Sequence, residues 1–289
     1  MKRDALRKTI QSKQIAEKLN RLNAKRQEII RPIFEHPRSF VLSSVRAMAQ
    51  RLGTDPATVV RIVRGLGFPG FREFQHYLHD LSLAYATSAD TMRKAPHATG
   101  ISGFVSDSID QDLKNLQALK NTLDTKRIAA LAKRFHECRR VIVVAGDLAT
   151  TLADYFEYHL VLLGLNAFSA TSGGRVVHLT RSLTRQDLVV AISFRRGLRQ
   201  TVEGAQHGRS RGAHCVAITD TYLSPLTRIC HETFLAGIES HSFGASYAAP
   251  ITLLNAMLAA IGQHRQKHTL AIVGEISEEQ RRGSRWYHE

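Results

Sequence analysis

The sequence predicts an α/β chain with an all-α N-terminal domain: a helix-turn-helix bundle followed by a doubly wound, parallel five-stranded sheet. Three observations predict it. Between Val41 and Phe68 (VLSSVRAMAQRLGTDPATVVRIVRGLGF) apolar residues recur at helical spacing in two short runs, broken at Gly53 and restarted at Asp55-Pro56. Beyond Arg140 short β-branched runs alternate with helices of about 12 to 15 residues, the rhythm of right-handed crossovers between parallel strands. The 289 residues are enough for two domains, and 43% hydrophobic content marks a folded, globular chain.

The first 26 residues are rich in Lys and Arg and read as a basic, partly helical arm, either contacting phosphates or solvated. Pro32 falls within the expected helix Gln27 to Glu35, so that helix is either kinked or starts late, with Pro32 in its first turn. In the helix pair, Ser43 or Ser44 caps the first helix, Val45, Met48, Ala49 and Leu52 form its apolar face, and Gly53 ends it. Asp55 caps the second, with Pro56 in the first turn. Val59, Ile62, Val63 and Leu66 must face a core, which leaves Ala57, Thr58, Arg61 and Arg64 projecting outward. Phe68, Phe71, Phe74 and Tyr77 then close the small domain, and the Ser/Thr/Pro/Gly-rich stretch that follows is a linker. The expected boundaries are 1–85 for arm and helix-turn-helix domain, 86–104 for linker, 105–265 for the α/β domain and 266–289 for a C-terminal tail.

The α/β domain opens with helices at Val105–Leu123 and Lys126–Cys138. Strands are expected at Val141–Ala145, Ala167–Ser169, Leu188–Ser193, Cys215–Thr219 and Thr233–Leu235, with helices near Thr150–Leu163, Arg175–Ser182, Gln200–Arg211 and Ser246–Gly262. Ligands of such sheets sit beyond the carboxyl ends of the strands, near helix N-termini whose N–H groups attract anions. The segments to inspect are therefore Gly146 to Thr150, Ser193 to Gln200 and Thr219 to Ser224.

Charge points to the partner of the helix pair. Met1 to Asp80 holds 16 Lys and Arg against 7 Asp and Glu, so it carries most of the chain's net charge of +15 in about a quarter of its length. An outward set of Thr58 and Arg61 can read base edges in a major groove, while Arg64, Arg46 and Arg51 contact phosphates; Asp55 and Ala57 complete the surface. Cys138, Cys215 and Cys230 have neither metal-type nor C-x-x-C spacing, so they read as reduced core thiols of a cytoplasmic protein with no disulfide framework and no zinc. The longest apolar stretch, Leu160 to Phe168, is too short for a membrane span, and the basic N-terminus lacks the apolar region of a secretory signal.

Both halves together resemble the RpiR/MurR-like bacterial transcriptional regulators, which join a helix-turn-helix domain to a sugar isomerase (SIS) domain. The resemblance spans about Gln27 to Gly262 and is most specific in DPATVVRIVRGLGFPGF at Asp55 to Phe71, with further matches at Ala217 to Asp220, Ser224 to Leu226 and the helix entered by Ser246. It implies a double-stranded DNA operator as partner and a small metabolite, often a phosphosugar, as effector. Effector-binding residues implied or suggested by position are Thr150, Ser193, Arg195, Arg196, Thr219, Ser224 and Ser246.

Two departures from the family pattern are visible. Where phosphosugar-binding members carry Ser-x-Ser-Gly-x-Thr, this chain has Ser193-Phe194-Arg195-Arg196-Gly197-Leu198; where Gly-x-Gly-x-Ser is usual, it has Ala145-Gly146-Asp147-Leu148-Ala149. Arg195 and Arg196 either point into the crevice as bidentate partners for a carboxylate or phosphate, or outward as surface charges. The candidates for isomerase-type proton transfer, Glu157, His159, His178, Glu203 and Glu239, show no spacing that demands it, so the expectation is a regulator, not an enzyme, without cofactor. One helix-turn-helix makes too few base contacts alone; a homodimer or homotetramer is expected, joined through the helices at Thr150–Leu163 and Ser246–Gly262.

Overall fold

The computed structural model describes residues 2–84, 100–195, 197–241 and 243–283. The linker expected at 86–104 lies outside them up to residue 99, as does Arg196. The chain divides into two compact units, one formed by Met1–Asn121 with Asp220–Ser224 and Gly237–Ser246, the other by the remainder.

The first unit runs α1 (Lys2–Arg21), α2 (Ala24–Glu35), α3 (Pro37–Phe40), α4 (Val45–Arg51), α5 (Pro56–Gly65), α6 (Phe71–Ala84) and α7 (Gly100–Thr122). Asn23 caps α2, its Oδ1 accepting the Arg26 N–H at 2.9 Å, so α2 starts well before Pro32 and runs through it. Ser44 caps α4 by accepting the Ala47 N–H at 3.2 Å. At the far end Gly53 takes φ 63°, while its N–H donates to Gln50 and that of Thr54 to Ala49; these paired bonds let the chain reverse into α5. Ile30, Ile33, Met48, Val59, Ile62, Val63, Leu66, Phe74 and Leu78 form a buried apolar core, with Phe68 packed edge-on to Phe74 at 5.2 Å between centroids. Ile15 and Leu19 of the basic arm are buried in the same cluster, so the second half of α1 is a core helix rather than a solvated extension.

The second unit contains α8 (Thr125–Glu137), β1 (Arg140–Val144), a single 3-10 turn (Asp147–Ala149), α9 (Thr150–Leu162), β2 (Ala167–Ala170), α10 (Gly173–Arg181), β3 (Asp187–Ile192), α11 (Arg199–Ser210), β4 (His214–Thr219), α12 (Leu226–Ile229), β5 (Glu232–Leu235), α13 (Ala248–His264) and α14 (Gln266–Arg282). The strands are all parallel in the order β2-β1-β3-β4-β5. Val141, Ile142, Val143 and Val144 of β1 and every residue of β3 are buried, as strands covered on both faces require. Gly204 and Gly208 let α11 settle on the sheet, since a Cβ at either would lie 2.8 Å from Val144 or Val189.

Asp187 locks the start of this sheet. Its carboxylate has no exposed surface and accepts Arg139 Nε at 2.9 Å, Arg139 Nη2 at 2.7 Å and the Thr184 N–H at 2.8 Å, with Arg140 Nε 3.5 Å away. Burial alone would raise its pKa; the Arg139 and Thr184 hydrogen bonds and the two guanidinium charges outweigh burial and hold it below the usual carboxylate value.

Two expectations change here. The apolar face of α13 is covered within the chain by α8: Leu253, Leu254, Met257 and Ile261 are buried, and His136 Nε2 meets the Ile261 carbonyl at 2.8 Å. Most of the apolar surface expected to join copies of the chain there is thereby used within it, leaving Thr252, Asn255 and Ala259 exposed, whereas Tyr158 and Val161 of α9 remain exposed. The segment read as a tail contains α14, whose Ile272 packs on Gly164, a residue at φ 75° where any Cβ would collide with it.

Candidate DNA-recognition helix and ligand crevice

The N-terminus of α5 carries a chain of side-chain contacts. Asp55 Oδ1 accepts the Thr58 N–H at 2.8 Å, Asp55 Oδ2 accepts the Thr58 hydroxyl at 2.6 Å, and Arg61 Nη2 donates to Thr58 Oγ1 at 3.0 Å. The two hydrogen bonds from Thr58 depress the Asp55 pKa below the usual carboxylate value, with a smaller contribution from Arg61. Asp55, Thr58 and Arg61 are thus brought together, beside exposed Ala57, and Arg64 is exposed about one turn further along. Arg46 is exposed on α4. Arg51 is turned toward α3, donating to the Ser39 carbonyl and lying 5.9 Å from the Phe40 ring centroid. The whole row sits opposite Val59, Ile62 and Val63, which are fully buried, so packing of the apolar face fixes which residues point out.

In the second unit the chain leaves β1 toward β2 and β3 toward β4, so the sheet parts between the loops that follow β1 and β3, the place where ligands of doubly wound sheets bind. In the loop after β3, Arg195 (φ 58°) and Gly197 (φ 78°) both adopt the left-handed conformation. Ser193 Oγ accepts the Leu198 N–H at 2.8 Å, Gly197 N–H donates to Phe194 at 3.2 Å, and the N–H groups of Thr201 and Val202 both donate to the Leu198 carbonyl. After β1, Asp147 takes φ 54° at a position where the resembled pattern has glycine, and it is exposed. Gln200, in the first turn of α11, donates through Nε2 to the carbonyls of Ala145 and Thr171, both at 3.1 Å. Its amide and the Leu198 side chain lie so close over Gly146 that a Cβ there would collide with both.

Ser193 and Arg195 therefore lie in the β3 loop and Thr150 begins α9 after the β1 loop. Thr219 ends β4, while Ser224 and Ser246 fall in segments that pack with the first unit. Gln200, Leu198 and the fully buried Thr201 are missing from the sequence-level set, although two of them lie in the segment marked for inspection. The five candidates for proton transfer are scattered: Glu157 is half-buried on α9, where His159 Nδ1 contacts the Tyr155 carbonyl, Glu203 pairs with Arg199, and His178 and Glu239 are exposed. At the opposite end of the sheet, His214 meets Glu232 at 2.9 Å and stacks on His231. The His214 contact lowers the Glu232 pKa, and burial lowers that of His231. Among the described residues no cluster fit for a metal ion occurs, and no helix is long and apolar enough to cross a membrane.

A family model described as "Helix-turn-helix domain, rpiR family" matches residues 10–88, and one described as "SIS domain" matches residues 134–263. The chain belongs to the rpiR family of helix-turn-helix regulators. An "Uncharacterized HTH-type transcriptional regulator" of Haemophilus influenzae is 23% identical to this rpiR-family chain over 221 residues, 75% of this chain and 76% of the relative. The sugar isomerase domain of an RpiR transcription factor from Sphaerobacter thermophilus shares 26% identity at a TM-score of 0.58, covering 60% of this chain and 97% of that one. NanR of Vibrio vulnificus, solved as a complex with ManNAc-6P, shares 20% identity at a TM-score of 0.58, covering 91% and 97%, and shows the likeness of fold.

Proposed function

We propose that this rpiR-family regulator binds a double-stranded DNA operator through α5, and that a small anionic metabolite, a sugar phosphate or a carboxylate, sets its operator affinity from the crevice between the β1 and β3 loops. The observation that carries the reading is the Asp55–Thr58–Arg61 row, exposed at Asp55 and Arg61 and half-buried at Thr58, on a capped helix whose other face is locked in a core. Thr58 and Arg61 meet base edges, while Arg64, Arg46, Arg51 and the arm meet phosphates. Two or four copies of the chain place recognition helices on successive half-sites about one helical turn apart. The effector acts through its differential affinity for two arrangements of the DNA-binding domains. The scattered placement of Glu157, His159, His178, Glu203 and Glu239 supports a sensor without turnover. NanR's complex with ManNAc-6P supports a metabolite ligand on this fold.

The test is the double variant Arg195→Ala with Arg196→Ala, assayed for operator binding with and without metabolite extract. The reading expects operator affinity to persist and the response to metabolite to vanish. A response equal to that of the unaltered protein refutes the effector assignment.

A further inference from the structure

The crevice of the second unit discriminates between anions. A phosphate ester is held by a concave ring of unspent N–H donors at a helix N-terminus. Here the loop has spent several of its own: Leu198 N–H goes to Ser193 Oγ, Gly197 N–H to Phe194, and the Thr201 and Val202 N–H groups to Leu198. The space above Gly146 is filled by the Leu198 side chain, which offers a phosphate nothing, and by the Gln200 amide. Asp147 adds a negative charge to the same rim. What the crevice does present is acceptors. The Ala145 and Thr171 carbonyls both point at one amide nitrogen, Gln200 Nε2. Thr201 lies one turn before Gly204 on the sheet-facing side of α11, and Gly204 sits on Val144 at the end of β1. Thr201, one turn nearer that strand end on the same side of the helix, is fully buried, and its hydroxyl has no hydrogen-bond partner among the described residues.

Resting on the effector reading above, we propose that the crevice takes a sugar acid and not a phosphate ester. Ligand hydroxyls displace the Gln200 amide from the Ala145 and Thr171 carbonyls and satisfy Thr201 Oγ1, while the ligand's carboxylate pairs with Arg195 of the β3 loop. A flat carboxylate is satisfied by one guanidinium fork, so it does not need the N–H groups that the loop has already used. Gln200 is then a plug that each ligand must move, and the fraction of molecules with the plug withdrawn scales the apparent affinity.

Calorimetry on the full chain tests this with gluconate, glucuronate, glucose 6-phosphate and inorganic phosphate as probes. The expected result is binding of a sugar acid and none of either phosphate, with Gln200→Ala tightening the acid by about tenfold and Arg195→Ala abolishing it. Gln200→Asn, whose shorter side chain cannot span both carbonyls, repeats the comparison should the alanine variant fold poorly. Tighter binding of either phosphate than of the acids overturns the assignment while leaving the crevice as the sensor. Weaker acid binding in both Gln200 variants overturns the plug. Silence from all four probes overturns the sugar acid; together with an unchanged metabolite response in the Arg195, Arg196 double variant, it removes the effector reading as well.

Discussion

Asp187→Ala probes the lock that sets the register of β1 against β3 and so positions both crevice loops. The substitution removes a carboxylate with no exposed surface that accepts three hydrogen bonds of 2.7 to 2.9 Å. Breaking a buried ion pair from one side costs about 3–5 kcal/mol, because the other charge is left in place. Arg139 keeps 46% of its side chain in water and rehydrates readily, which discounts its share. Arg140, only 14% exposed, does not, although Nη2 retains the Ser182 carbonyl and hydroxyl at 2.9 and 2.8 Å. The expected loss is therefore at the lower end, about 3 kcal/mol near neutral pH.

The sign with pH follows from the depressed carboxylate. A group whose folded pKa lies below its unfolded value stabilises above the unfolded value, and that stability is lost as pH falls through the folded one. The difference between wild type and variant should thus be constant from about pH 7 to pH 5 and shrink below about pH 4. Urea unfolding followed by far-ultraviolet circular dichroism across that range measures it. A variant within about 1 kcal/mol of wild type at neutral pH, or a difference that ignores acid, refutes the reasoning.

Further outcomes follow from the same geometry. Arg61→Ala should weaken operator binding by about 1–3 kcal/mol and relax sequence preference, whereas Arg64→Ala should weaken all duplexes alike and lower the salt slope by about one, both read from anisotropy titrations at several ionic strengths. Asp55→Ala should cost about 1 kcal/mol of thermal stability through the lost cap on α5, and release Thr58 and Arg61 from their shared contacts. Burial pushes the Cys138 and Cys215 thiols up to about 11 and raises Cys230 further, so a thiol reagent at mildly alkaline pH should titrate no fast-reacting one of the three in the folded protein and all of them in denaturant.

The sheet was legible because buried parallel strands write themselves as β-branched runs: β1, expected at Val141–Ala145, forms at Arg140–Val144, and β4, expected at Cys215–Thr219, begins one residue earlier. The helix pair was equally legible, since Asp55, Pro56 and Gly53 are local signals with local partners. What escaped is non-local. Asp187 reads as an ordinary polar residue until Arg139, 48 positions earlier, is folded against it. Gln200 stands 55 positions from the Ala145 carbonyl it binds, and nothing in its neighbourhood marks it as the residue that fills the crevice. Ile15 and Leu19 are hidden among lysines and arginines whose charge dominates the local reading of the arm.

The central claim is that the arginine side of α5 recognises a particular DNA sequence. Titrating the full chain into fluorescent duplexes from the region upstream of its own gene, against scrambled duplexes of equal composition, measures this most directly. The account predicts tighter binding of one upstream duplex by about a thousandfold or more at physiological salt, with the preference reduced in Arg61→Ala. Equal affinity for native and scrambled duplexes at every ionic strength would contradict it.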